Sequence, residues 1–201
     1  VKPLCPVARR ADYEVCDCSL NEARALISAE HYARGCSNTA VYRHGLYRGG
    51  LLVGVALWLP PTKNCAKTVH SDWRRVLLLS RLALLPGEPQ NAESILIGGS
   101  IRKIRRDQKW VALVTFADQS QGHDGTIYQA TNWSDEGLTR PEARWEDAAG
   151  RQVSRLSTKS RTAAEMLALG HRMVGKFSKR KFTMVLTGRR RERSGISAAG
   201  S

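Results

Sequence analysis

The sequence predicts a mixed α/β fold: a single domain built on a twisted sheet flanked by helices. Three observations carry that expectation. Two almost wholly apolar runs, 76–85 (VLLLSRLALL) and 110–116 (WVALVTF), have the length and composition of strands buried on both faces. The pair Gly49-Gly50 separates two strand-like segments, which is a hairpin signal. Helical periodicities lie between these pieces, so the order is strand, helix, hairpin, strand, helix, strand, helix, strand, the alternation of a mixed sheet.

Residues 13–18 (YEVCDC) alternate as a short strand. Ser19 with Glu22 three positions on forms a capping box that opens a helix running to about Tyr32, with Leu20, Ala23, Leu26 and Ile27 on its apolar face. Residues 40–48 and 51–59 are the hairpin strands, stopped by Pro60-Pro61, and a polar loop with His70 and Asp72 follows. Pro86 stops the run 76–85. A helix is expected over 92–106, with Ile95, Leu96, Ile101 and Ile104 inward and Arg102, Lys103, Arg105 and Arg106 outward. The strand 110–116 delivers Asp118 at its C-terminal end. A polar turn leads to a short helix at 126–131 and a strand near 136–139. Residues 140–160 are polar and are expected as an insertion with a small hairpin at Ala149-Gly150. Residues 162–173 are expected as a helix and 181–187 as a closing strand. The domain then spans 1–187, and the basic, then Gly/Ser/Ala-rich stretch 188–201 is expected as a disordered tail.

A chain of 201 residues with 42% hydrophobic content can bury one substantial core. Its 32 Lys and Arg against 18 Asp and Glu give a net charge of +14, which favours a polyanionic partner, nucleic acid first. No apolar run approaches the roughly 20 residues that cross a bilayer, and no signal-peptide pattern opens the sequence. A soluble, cytoplasmic protein with no membrane partner is expected. Five cysteines at irregular spacing argue for reduced thiols, and Cys16-Asp17-Cys18 lacks the second close pair of a structural zinc site.

The order of elements resembles the GNAT acyltransferase superfamily over about residues 13–139, and IYQATNW at 127–133 is similar to that superfamily's Tyr-containing motif. A more specific resemblance lies in AEHYARG at 29–35, SRLALLP at 80–86 and FADQSQGHDGTIYQATNW at 116–133. In order and spacing these look like the Mom DNA-modification proteins of Mu-like bacteriophages.

The GNAT resemblance implies that acetyl-CoA or a related acyl donor sets its pyrophosphate on the N-terminus of the helix after the central strand, where free N–H groups and the helix dipole favour phosphate. Here that position is Asn91, Ala92 and Ser94, without the superfamily's Gly-rich phosphate loop; alternatively Asn91 only caps the helix. Tyr128 aligns with the tyrosine that protonates the leaving thiolate, or it packs the short helix. Asp118, at the sheet edge where open α/β folds place ligands, could orient an amine, act as base, ligate a metal, or cap the next turn. His123 and Asp124 share its loop. His31 and Tyr32 end the first helix, and the imidazole can serve as base or ligand at neutral pH, or simply sit on the negative end of the helix dipole. Arg81, a fixed charge in an apolar strand, requires an acid such as Asp118 or a ligand phosphate. Iron on His31, Tyr32 and Asp118 would be chemically reasonable.

Basic residues cluster at 102–106 and 176–193, which exceeds what solubility requires and points to the backbone of double-stranded DNA. Tyr42, Tyr47, Trp58, Trp73, Trp133 and Trp145 divide between core and a stacking platform for an extruded base. The Mom resemblance thus implies transfer of a methylcarbamoyl group to N6 of adenine in DNA, shielding it from restriction. The rivals are an ordinary GNAT acetyltransferase and a DNA-binding protein without chemistry.

Overall fold

The computed structural model describes residues 7–31, 35–89, 91–122, 124–153, 158 and 160–186. Seven strands form one sheet: β1 (Glu14–Asp17), β2 (Tyr42–Arg48), β3 (Leu51–Leu59), β4 (Val76–Leu84), β5 (Ala112–Asp118), β6 (Ser134–Leu138) and β9 (Lys179–Val185), in the order β1-β2-β3-β4-β5-β9-β6. Among the described residues, β4 and β5 are the only hydrogen-bonded neighbours that run parallel. β7 (Glu142–Glu146) and β8 (Arg172–Phe177) make a separate two-stranded ribbon. The helices are α1 (Leu20–Glu30), α2 (Lys63–Lys67), α3 (Ala92–Arg106), α4 (Thr126–Gln129) and α5 (Ala163–Ala168).

Local chemistry sets most boundaries. The Ser19 hydroxyl accepts from the Glu22 N–H while the Glu22 carboxylate accepts from Ser19 N–H, so the capping box forms. Gly49 and Gly50 both adopt positive φ, the conformation a tight β2–β3 turn demands. Strand alternation assigns the faces. Leu77, Leu79 and Leu113 pack with Leu96, Ile97, Ile101 and Ile104 of α3. Val76, Val114, Leu78 and Phe116 face the other way, towards Ala66 and Cys65 of α2, and α1 lies on that same second face.

Two expectations are corrected. The helix expected over 162–173 spans only Ala163–Ala168. It stops because Gly170 turns at φ +75 while its N–H and that of His171 bond back to Leu167 and Met166 carbonyls. Residues 172–177 are instead β8. The polar loop after Pro61 contains α2, capped by the Thr62 hydroxyl. Residues 140–160 contribute β7, and the tail 188–201 lies outside the described residues.

β6–β7 and β8–β9 are one long hairpin bent in the middle. Ser178 alone separates β8 from β9, and at the bend Thr139 N–H donates to the Lys179 carbonyl (2.8 Å) while Lys179 N–H donates to the Thr139 hydroxyl (3.0 Å). The inner arm belongs to the main sheet, and the outer arm is the β7–β8 ribbon.

Candidate active site between the splayed strands

β4 and β5 pair only over Val76–Leu78 with Ala112–Val114, then diverge. A bulge in β4 helps: Leu57 pairs with Arg81 and Trp58 with Leu79, leaving Ser80 as the extra residue. The inner edges of Leu79–Leu84 and Thr115–Asp118 are therefore parted, and a cleft runs through the sheet between them.

On one side the cleft holds about 320 Å³, lined by His31, Arg81, Glu93, Asp118, Asp124 and Tyr128 among others. On the other it opens into about 380 Å³, lined by Leu78, Phe116, Asp118, Arg144, Phe177 and Lys179 among others. Ser80, Arg81, Phe116 and Asp118 line both, so the two cavities are the two mouths of one site. Thr62 and Cys65 at α2 line the second mouth together with Leu78, so that mouth opens on the α2 side of the sheet.

Asp118 is the shared centre. Its side chain is 3% exposed and accepts from the Ser120 hydroxyl (2.5 Å) and the Ser120 N–H (3.2 Å). Lys179 Nζ lies at 3.4 Å and an Arg144 guanidinium nitrogen at 3.3 Å. Burial pushes the carboxyl pKa up, but the Ser120 hydroxyl and the Lys179 and Arg144 cations outweigh it and hold the pKa below the usual value. Asp118 is a permanent carboxylate at neutral pH. Arg144 reaches it from β7, bonds the Ser120 hydroxyl as well, and lies 4.6 Å above the Phe177 ring.

Tyr128 is carried by α4, packed between Phe182 (5.2 Å) and Trp133 (5.8 Å) and 8% exposed. Gly125 opens that helix at φ +87, and a side chain there would collide with the Phe182 ring. His31 caps the C-terminus of α1, its N–H donating to the Ile27 carbonyl, and reaches the first mouth. Tyr32 and His123 lie outside the described residues.

Arg81 enters the cleft, but the pairing with Asp118 expected for it is not formed. Its guanidinium donates to the carbonyls of Gly35 (3.0 Å) and Ser80 (2.7 Å), because Arg144 and Lys179 already occupy Asp118. Sequence reasoning missed both cations. Nothing local marks Arg144, since only the fold of the β6–β9 hairpin carries it back across 26 residues.

The α3 N-terminus is partly engaged. The Asn91 side chain accepts from Ala8 N–H (2.7 Å) and donates to the Ala8 carbonyl (2.8 Å), and Ala92 is fully buried with its N–H on Pro89. Ser94 is half-buried in the same turn, and Glu93 faces the cleft. Of the iron set, His31 and Asp118 line the cleft and Tyr32 lies outside the described residues. No three His, Cys, Asp or Glu converge among the described residues, and Asp118 already faces two cations that would repel a metal ion. No helix among the described residues is long and apolar enough to cross a membrane.

The model of the Mom protein family matches residues 12–196. The methylcarbamoylase Mom of Escherichia phage Mu is 33% identical over 117 residues, which is 55% of this chain and 48% of that protein. The match thus spans about half of the relative's length. Among solved structures, the ribosomal-protein-S18-alanine N-acetyltransferase of Escherichia coli superposes with a TM-score of 0.52 at 10% identity, over 89% of this chain and 97% of that one. A GNAT family acetyltransferase from Elizabethkingia anophelis with acetyl-CoA bound gives 0.53 at 12% identity, over 87% and 98%. The sheet, its flanking helices and the parted β4 and β5 therefore constitute a GNAT acetyltransferase fold.

Proposed function

The chain belongs to the Mom protein family, and from that premise we propose that it is a transferase that places an acyl-derived, methylcarbamoyl group on N6 of adenine in DNA. The observation that carries this reading is the convergence of His31, Arg81, Asp118 and Tyr128, distant in sequence, on one cleft between the splayed strands. The +14 charge supports DNA as the acceptor. The name of the phage Mu relative supports the transferred group.

An acyl thioester lying between the parted strands would hold its carbonyl carbon near the centre of the cleft, with the α3 N-terminus available to its phosphates through Ser94. The absence of a Gly-rich phosphate loop and the engagement of Asn91 and Ala92 leave a smaller anion site than the GNAT resemblance implies. The acceptor base would come from the second mouth, where Phe116 and Phe177 offer aromatic walls.

Asp118, held anionic, accepts a hydrogen bond from the adenine amine and orients its lone pair towards the carbonyl. It is too weakly basic to remove the proton, so that task falls to the His31 imidazole. In the transfer step the amine nitrogen forms a bond to the donor carbon, the carbon–sulfur bond breaks, the thiolate takes the Tyr128 proton, and His31 takes the amine proton. An acetyl thioester contains no amide nitrogen. A methylcarbamoyl product therefore requires a donor that already carries one, or a further nitrogen-supplying reaction.

Plasmid DNA from cells expressing the protein should resist restriction at adenine-containing sites, and Asp118→Ala or Tyr128→Phe should remove that resistance. Full resistance with both variants would instead support a DNA-binding protein without chemistry. No resistance with the wild type, together with acetylation of small amines, would support an ordinary acetyltransferase.

A further inference from the structure

We propose that the β7–β8 ribbon is the element that engages duplex DNA, lying in a groove and presenting the base to the cavity at its root; this rests on the reading above. The ribbon is the outer arm of the bent β6–β9 hairpin. At about 3.3 Å per residue its six-residue strand extends roughly 20 Å, and a two-stranded ribbon fits the DNA major groove, about 12 Å wide.

The arm is tied to the chemistry. Arg144 leaves β7 to meet Asp118 and stack on Phe177, and Glu142, Ala143, Arg144 and Phe177 of the ribbon all line the second mouth. Trp145 of the ribbon is buried. Beside it Met173, the cross-strand partner of Trp145, is 49% exposed, and Val174, the extra residue at the register shift, is 40% exposed, close to Lys176.

Charge selects the partner. Residues 139–186 carry eleven Lys and Arg against four acids, about half of the chain's whole excess. Arg172 and Arg151 are neutralised by Glu146 and Asp147, but Lys176 and Arg140, the sequence neighbours of Phe177 and Thr139 that line the mouth, have no acid within ion-pair distance among the described residues. The alternative basic surface, Arg102, Lys103, Arg105 and Arg106 of α3, lies on the opposite face of the sheet from this mouth. A duplex held there could not deliver a base to Asp118 through the second mouth.

The test is binding of a labelled adenine-containing duplex to the full chain across a salt series, by fluorescence anisotropy. Relative to wild type, Arg140→Ala/Lys176→Ala should flatten the slope of log affinity against log salt by about 1.8, since each phosphate contact contributes about 0.9. Arg102→Ala/Arg106→Ala, which removes equal charge from α3, should change it by less than half as much. Met173→Ser/Val174→Ser should abolish the fluorescence rise of 2-aminopurine placed at the target adenine. Equal flattening by both arginine-containing pairs, or none from the ribbon pair while the wild type binds, would overturn the ribbon assignment and leave the proposed reaction standing. A wild type that binds no duplex at low salt overturns the DNA reading itself. Ribbon-dependent binding to phosphatidylserine vesicles without duplex binding does so too.

Discussion

Asp118 lies at the crossing of both mouths, and what surrounds it decides what it can do. A carboxylate with two cations and a hydroxyl is stabilised in its charged form, which in the proposed reaction would make it an orienting group rather than a base. Removing one cation tests this. Arg144→Ala should leave the fold intact, raise the Asp118 pKa, and lower kcat by roughly ten- to a hundredfold, with the acidic limb of the pH–rate profile moved to higher pH. An unshifted limb would show that Arg144 serves packing on Phe177 alone. Asn91 has the opposite profile. Its amide is spent on Ala8, so Asn91→Ala should cost about 1–2 kcal/mol of stability through two lost hydrogen bonds and leave the KM for the donor unchanged. A raised KM at unchanged stability would return Asn91 to the donor site.

Away from the site, His44 makes its own pH prediction. It is 1% exposed, stacks on Tyr42, and its Nδ1 has no hydrogen-bond partner among the described residues. Burial lowers its pKa to about 4, against the opposing pull of Asp17. A group whose folded pKa is depressed below its unfolded value near 6.5 leaves stability whole above about pH 6.5. That stability is lost as pH falls from there to about 4, by up to about 3 kcal/mol. Denaturant unfolding between pH 7 and pH 4 should show this loss, and His44→Leu should flatten it.

At the scale of elements, α4 is short and depends on its first residue. Gly125 combines positive φ with contact against Phe182, so Gly125→Ala faces both backbone strain and a clash. The expected cost is about 1–3 kcal/mol, with reduced turnover because Tyr128 moves with the helix. Thermal melting alongside initial rates would check it; unchanged values for both would contradict this account of α4.

The elements also mark what can be inferred from a sequence. β3, β4, β5 and α3 were legible because burial on both faces, or amphipathic spacing with a charged outer stripe, leaves a strong pattern. The Ser19 capping box and the Gly49-Gly50 turn were legible for equally local reasons. β7 and β8 were not. β7 (EARWE) does alternate, but over only five residues inside a polar stretch with a single large apolar side chain, and β8 (RMVGKF), with consecutive Met and Val and then a Gly, does not alternate. The same ribbon hid Arg144, because its role depends on a contact between elements. Arg81 stands out in the sequence as a charge needing an acid or a phosphate, but the partners it has are backbone carbonyls, which a sequence cannot display. His31, Asp118 and Tyr128 were visible through family-like motifs, and the fold adds their convergence.

For the whole molecule, the cleft divides into one mouth next to α3 and α4 and one next to the bent hairpin, with Asp118 between them; the proposed reaction would put the donor in the first and the acceptor in the second. The excess of seven positive charges over residues 139–186, which include the hairpin's outer arm, would suit a polyanionic acceptor and would be idle for a small amine. The most direct measurement is mass spectrometry of nucleosides from the DNA of cells expressing the full chain. A deoxyadenosine carrying the mass of a methylcarbamoyl group is expected with the wild type and absent with Asp118→Ala. Unmodified deoxyadenosine in the presence of abundant, folded wild-type protein would contradict the proposed reaction.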